Sequence, residues 1–153
     1  MFIKKVCQAL EKEKVPYAVV GGYAVTLHGA VRGTIDIDLI IKWNLKNLIS
    51  VKRAMKSLNL EPQLPITAEN LFNFRKEYIE NKNLIAWSFT NPHNPSEQVD
   101  IIITFDLGNR KTKTIRTSGG NIKILNKKDL IIMKKLSGRP QDLEDIKALK
   151  ELQ

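Results

Sequence analysis

Apolar residues recur at helical spacing from the start of the chain, where Phe2, Val6 and Leu10 fall on one face of a helix over residues 2–14. Pro16 stops that helix, and Tyr17-Ala-Val-Val reads as a short buried strand closed by Gly21-Gly22. Residues 23–30 read as a short helix ending near Gly29, and a turn through Arg32 and Gly33 leads into an apolar strand over residues 35–42. Asn44 is a helix N-cap for a segment reaching about Leu58, with Leu45, Leu48, Met55 and Leu58 inward. Pro62 and Pro65 mark a loop, and Thr67 caps a further helix through Ile79. Strands follow at about 84–90 and 97–105, separated by the turn Asn91-Pro-His-Asn-Pro. Residues 110–125 read as one more strand or a hairpin bent at Gly119-Gly120. Asn126 caps a helix ending at Gly138, and Pro140 opens the last one, whose Leu143, Ile146, Leu149 and Leu152 form an apolar side. The expectation is an α/β (α+β) fold: a mixed sheet of about four to five strands with helices packed on it. A single domain covers residues 1–153, its sheet at about 15–125 and a C-terminal helix pair at about 127–152.

Composition narrows the class without naming a function. A chain of 153 residues, 42% hydrophobic and 27% charged, has the balance of an ordinary globular domain. No apolar run is long enough to span a bilayer, and the amphipathic start carries both signs of charge, so a cytoplasmic protein without a secretory signal is expected. Cys7 is the single cysteine, which excludes an internal disulfide and a multi-cysteine metal site; beside Val6 and Leu10 it is expected to be a packed core thiol. The formal net charge of +9 favours polyanionic partners, nucleotides or RNA, although basic proteins without such partners are common.

Two acids stand where the hydrophobic pattern has no place for them. In Ile35-Asp36-Ile-Asp38-Leu-Ile-Ile, strand alternation sets Asp36 and Asp38 on one face while Ile35, Ile37, Leu39 and Ile41 fill the other. Carboxylates two apart on a strand lie roughly 7 Å from each other and repel by about 2 kcal/mol at an effective dielectric near 20. Hard divalent cations with oxygen ligands neutralise such a pair economically, Mg²⁺ above all and Mn²⁺ as the alternative. Asp100 repeats the pattern in Gln98-Val-Asp100-Ile-Ile-Ile-Thr, on the face of Ile102 and Thr104. If the two strands pair, the three carboxylates converge, and such a patch can hold two metal ions. The turn Gly21-Gly22, between a strand and a helix, is a place where backbone N–H groups donate to a phosphate. Arg32 and Thr34 could donate to a triphosphate; a solvated arginine and a turn threonine are the other readings.

These residues resemble the signature of the DNA polymerase β-like nucleotidyltransferase superfamily. Gly21-Gly22, Asp36-Ile-Asp38-Leu and Asp100 occupy the places of its glycine pair, its Asp-hydrophobic-Asp-hydrophobic strand and its third acid. The form Gly-Gly-Tyr-Ala…Arg-x-Thr-x-Asp-Ile-Asp is similar to the bacterial minimal branch, which includes AbiE-type toxins and the lincosamide and aminoglycoside nucleotidyltransferases. The segment Lys134-Lys-Leu-Ser-Gly-Arg139-Pro-Gln-Asp142-Leu-Glu-Asp145 is similar to that branch's helical ending. The resemblance implies a nucleotidyltransferase-like fold and Mg²⁺-dependent transfer of a nucleoside monophosphate from an NTP such as ATP to a hydroxyl. It further implies that Asp36, Asp38 and Asp100 are the catalytic metal ligands, Lys134 touches the triphosphate and Asp142 anchors the helix pair. No separate general base stands out, so Asp100 is expected to take the acceptor's proton.

The acceptor remains open among an RNA end such as tRNA, a protein side chain in a toxin–antitoxin pair, and a small molecule. A non-catalytic nucleotide-binding or antitoxin module with the same fold is the runner-up, and a glycosyltransferase using Asp-x-Asp is a further alternative that predicts neither Gly21-Gly22 nor Asp100. His28 is expected to pack in the core. Tyr23, Trp43, Phe72, Phe74 and Trp87 could stack a base but are expected to be core residues.

Overall fold

Side-chain caps set the helix starts where the sequence placed them. The Asn44 Oδ1 accepts the Asn47 N–H at 2.8 Å, the Thr67 Oγ1 accepts that of Asn70 at 3.0 Å, and the Asn126 Oδ1 accepts that of Asp129 at 2.9 Å. The computed structural model describes residues 1–31, 33 and 36–152. Arg32 and Thr34, expected near a triphosphate, lie outside the described residues, as does Ile35.

In chain order the elements are α1 (Phe2–Lys12), β1 (Tyr17–Val20), α2 (Gly21–Leu27), β2 (Ile37–Ile41), α3 (Leu45–Ser57), β3 (Glu61–Pro62), α4 (Ala68–Asn73) and α5 (Arg75–Asn81). They continue with β4 (Ala86–Asn91), β5 (Asn94–Ile102), β6 (Thr112–Thr117), β7 (Gly120–Leu125), α6 (Lys127–Ser137) and α7 (Pro140–Glu151). The strands form one mixed sheet in the order β3-β4-β5-β2-β1-β7-β6. It has seven strands, not four to five. The two-residue β3 sits in the proline loop at one edge, where Pro62 has no N–H to lose. Residues 112–125 form a two-stranded hairpin at the other edge.

The core follows the strand alternation. Ile37 and Leu39 on β2, Val99 and Ile101 on β5, and Trp87 and Phe89 on β4 are all buried, the two aromatic rings meeting edge-on at 4.7 Å. They belong to one cluster with Ile3, Val6, Cys7 and Leu10 of α1 and Leu48, Val51 and Met55 of α3. α3 packs against both α1 and α4, while α2 contacts β1, β2, β7 and α7, and α6 packs on α7.

Four local expectations are corrected. β2 begins at Ile37, so Asp36 precedes the strand and is exposed, while Ile40 on the Asp38 face is fully buried. The helix after Thr67 breaks at Phe74, whose φ of −120° is not helical, and α5 beyond it has no buried residue. Phe72 and Phe74 are consequently 40% and 54% exposed rather than core. On α7 the inward stripe is Asp142, Asp145, Ile146 and Leu149, a spacing that turns Leu143 out to solvent.

Candidate active site

The site is assembled by three adjacent strands. Val20, the last residue of β1, is in register with Asp38 on β2, and Asp38 is in register with Asp100 on β5. The parallel pairing of β2 with β5 therefore sets the two carboxylates side by side on one face. Asp36 adds its charge from just before β2. Burial, then the charges of Asp100 and Asp36, raise the Asp38 pKa to about 6, against a smaller opposing pull from Lys134 and Arg139. Among the described residues, no three His, Cys, Asp or Glu side chains are drawn together closely enough to hold a metal ion by themselves. The tight element is the Asp38–Asp100 pair, and its electrostatic deficit is one that a cation or a donor-rich ligand would relieve.

Gly21 is demanded twice at this point. Its φ of +68° lies in the left-handed region, and a Cβ built there would stand 2.2 Å from the Asp38 Oδ2. The backbone at the start of α2 thus touches the carboxylate with no side chain between them, and Gly22 is buried in the same turn. Gly21→Ala is expected to destabilise the fold by about 2–4 kcal/mol, from backbone strain plus displacement of Asp38. Urea unfolding of the variant beside the wild type measures it.

The α6–α7 corner closes over the same face. Gly138, left-handed at φ +64°, ends α6, and Pro140 opens α7. Lys134 is buried, its Nζ 2.9 Å from Asp145 Oδ2 and 3.3 Å from Asp142 Oδ1. The Asp142 carboxylate also accepts from Arg139 Nε at 2.8 Å and from the Arg139 backbone N–H at 3.1 Å. Burial alone would raise the Asp142 pKa, but hydrogen bonds from Arg139 and Ser137 and the Lys134 charge hold it well below the usual carboxylate range. A depressed folded-state value stabilises the fold above the unfolded value of about 3.9 and is lost as pH falls below it. The urea midpoint is therefore expected to drop between about pH 5 and pH 2, and Asp142→Asn to flatten that drop while lowering stability at pH 7.

Between sheet and corner lies a cleft of about 660 Å³. Its lining includes the polar or glycine residues Gly21, Asp38, Asp100, Lys134, Arg139 and Asp142 and the apolar residues Ile85, Ala86, Ile102, Phe105, Met133 and Leu136. Six of the residues singled out from sequence thus meet here or in the adjoining turn: Gly21, Gly22, Asp38, Asp100, Lys134 and Asp142. Lys134 is reached by the cleft, but its ammonium is engaged by two carboxylates. One further residue, Gln98, was given no role from the sequence, and Arg139 was marked there only as part of the helical ending. The Gln98 amide donates to Asp100 Oδ1 at 3.1 Å, fixing that carboxylate from the same strand face. The Arg139 side chain is 72% exposed at the cleft while bound to Asp142. A polar residue two before Asp100 was the available signal for Gln98.

The other candidates are structural. Cys7 is buried, His28 Nε2 lies 2.8 Å from the Leu125 carbonyl oxygen, and Trp87 is buried. Trp43 is partly buried under the Arg75 guanidinium, 4.4 Å from its ring centre.

The fold has counterparts among solved structures. The chain is similar to an antigenic nucleotidyltransferase-like protein from Paracoccidioides brasiliensis, with 19% identity and a TM-score of 0.59 over 96% of this chain and 72% of that one. It is similar to the lincosamide antibiotic adenylyltransferase LnuA in its lincomycin-bound form, at 16% identity and TM-score 0.59, covering 97% and 94%. It is also similar to ANT(2'')-Ia in complex with adenylyl-2''-tobramycin, at 12% identity and TM-score 0.57, covering 95% and 83%. The fold is that of the nucleotidyltransferases. No family model and no curated protein matches the sequence. Within this fold, the glycine turn follows β1, and Asp38 and Asp100 stand on the neighbouring strands β2 and β5. No helix is long and apolar enough to cross a membrane among the described residues.

Proposed function

We propose that this chain is a metal-dependent nucleotidyltransferase that moves a nucleoside monophosphate from an NTP to a hydroxyl acceptor. The observation that carries the reading is the register of Asp38 with Asp100 on a cleft face bordered by Gly21. Half-buried, mutually repelling oxygen ligands suit a hard divalent cation, so Asp38 and Asp100 would hold Mg²⁺, or Mn²⁺, with Asp36 as the adjoining carboxylate. Two such ions are the expectation for this constellation. When bound, the metal would neutralise phosphate charge and lower the pKa of the attacking hydroxyl.

The chain's own groups account for the remaining steps. The bare backbone of Gly21-Gly22 lets phosphates approach without a side chain intervening. Arg139, exposed at the cleft, supplies a guanidinium to the phosphate oxygens, and Lys134 contributes its charge from beneath. Arg32 and Thr34 are proposed as further triphosphate donors. The acceptor oxygen bonds to the α-phosphorus as the bond from that phosphorus to the bridging oxygen breaks. Pyrophosphate leaves with the bond's electron pair, and the acceptor's proton passes to Asp100. Gln98 keeps the Asp100 carboxylate oriented for this.

The similar structures support nucleotidyl transfer in general: the names LnuA and ANT(2'')-Ia carry are those of an adenylyltransferase and of a protein bound to an adenylylated antibiotic. An RNA end, a partner protein of a toxin–antitoxin pair and a small molecule are the acceptor classes in view. Thermal unfolding with ATP is the first test. Stabilisation is expected only with Mg²⁺ present; stabilisation by nucleotide sugars instead would favour a glycosyltransferase and overturn the reading.

A further inference from the structure

Between Asp106 and Asp129 the chain carries seven lysines and arginines and no acid, so this stretch supplies +7 of the formal net charge of +9. It comprises the β6–β7 hairpin and its flanks, at the sheet edge opposite β3. Two of the seven are used within the fold. Arg110 pairs with Asp129 at 3.0 Å, and the Lys127 Nζ donates to the Leu152 carbonyl at 3.2 Å. Lys111, Lys113, Arg116, Lys123 and Lys128 have no ion-pair partner among the described residues. A further cation comes from α1, where a Cβ built on Gly119 at the hairpin bend would stand 2.9 Å from the Lys4 Cδ.

Charge on an edge strand ordinarily guards it against pairing with another sheet. That accounts for Lys113 and Arg116 on β6. It does not account for Lys123, on β7 inside the sheet, nor for the absence of acids, since glutamate guards an edge as well. The register shows what the hairpin presents. Ile122 and Ile124 are buried on the face of Val19, and β7 packs there on α1. Past the buried Leu125, the other face carries Thr114 opposite Lys123 and Arg116 opposite Asn121. It is the face of Asp38, because Val20 alternates with Val19 and is in register with Asp38. Three strand spacings, roughly 14 Å, separate β2 from β6.

The composition of this strip selects its partner. Phosphodiester backbones are gripped by Lys and Arg with Thr and Asn donors beside them. A lipid surface needs an apolar face to insert, and a protein interface needs apolar or aromatic anchors. Residues 107–128 contain no aromatic side chain, and their leucines and isoleucines are buried in the core or packed on it. The strip therefore has no platform on which unpaired bases would stack. Its threonine hydroxyls and the Asn121 amide both donate and accept, which suits the 2′-hydroxyls lining the shallow minor groove of paired RNA. We propose that the β6–β7 hairpin is a docking surface for the backbone of a base-paired RNA stem. The surface lies outside the cleft, so this inference goes beyond nucleotidyl transfer and stands without it.

Fluorescence anisotropy without ATP, using a labelled RNA hairpin with a stem of about 16 base pairs, provides the test. Lys113→Ala, Arg116→Ala and Lys123→Ala together are expected to weaken binding at least about tenfold and to lower the log–log salt slope by about three. Lys46→Ala, Lys52→Ala and Lys56→Ala on α3 remove the same charge from exposed positions elsewhere, and are expected to change the affinity by less than about twofold. In the wild type, bound RNA is expected to protect Lys111, Lys113 and Lys123 from acetylation, read by mass spectrometry, and to leave Lys46, Lys52 and Lys56 reactive. That readout needs no variant to fold. Equal weakening by the two triple variants would overturn the proposal, because net charge alone would then explain binding. Lack of protection at the hairpin would overturn it as well. So would equal or tighter binding of the unpaired strand or of a DNA duplex of the same sequence. Since no measurement includes ATP, failure of the dock and failure of nucleotidyl transfer are distinguishable.

Discussion

Replacing Asp38 with asparagine is expected to reduce nucleotide transfer by at least about 10³-fold in kcat, because one neutral amide removes the central anion of the patch. The same change is expected to make the metal-free protein more stable. Asp38 is forced beside Asp100 with its side chain largely withdrawn from water, and its Oδ2 lies against the Gly21 backbone. Asparagine keeps the shape and removes the repulsion. A residue whose loss destroys activity while raising the unfolding midpoint is one kept for function at a cost to the fold. The check is a paired measurement: initial rates with Mg²⁺-ATP, and urea unfolding in EDTA. A variant that loses both activity and stability would instead make Asp38 a structural residue.

Lys134→Ala is expected to have the largest effect on stability, about 3–5 kcal/mol, because it leaves two buried carboxylates without their shared cation. Asp142 keeps Arg139, and Asp145 keeps the Gln141 amide, at 3.1 Å. Lys134→Met separates charge from packing: it restores the methylenes and is expected to recover only a minor share. Acid provides a second control. A buried carboxylate that loses a neighbouring cation takes up a proton more readily, so its folded-state pKa rises and its penalty is relieved as pH falls. The stability gap between Lys134→Met and the wild type is therefore expected to narrow from pH 7 towards pH 4. A gap unchanged by pH would contradict the ion-pair account.

Much of this architecture was legible because it depends on local chemistry. The caps at Asn44, Thr67 and Asn126 are short-range hydrogen bonds, and each stands where the side chain and the following apolar run placed it. The Asp38 and Asp100 anomalies were visible because period-two strands leave no apolar reason for an acid on the face of Ile40 or Ile102. What went unread depends on long-range pairing. Glu61–Pro62 is a strand only because β4 passes beside it, and no periodicity exists within two residues. The exposure of Phe72 and Phe74 follows from the break at Phe74, which no proline or glycine announces. Asp36 was read as a strand residue from alternation alone, but the ladder starts one position later, at Ile37 with Val99. Arg139 and Gln98 acquire meaning only once α7 and β5 bring them to their carboxylates.

The central claim is that the group leaving an NTP for the acceptor contains the α-phosphorus. ATP labelled in turn at the α- and γ-phosphates, incubated with the protein, Mg²⁺ and separated small-molecule, RNA and protein fractions of a cell extract, reads this directly. The account predicts that α-label enters an acceptor while γ-label is released as pyrophosphate, and that Asp38→Asn stops both. Transfer of γ-label to an acceptor, or release of γ-label as free phosphate with no α-label incorporated, would contradict it.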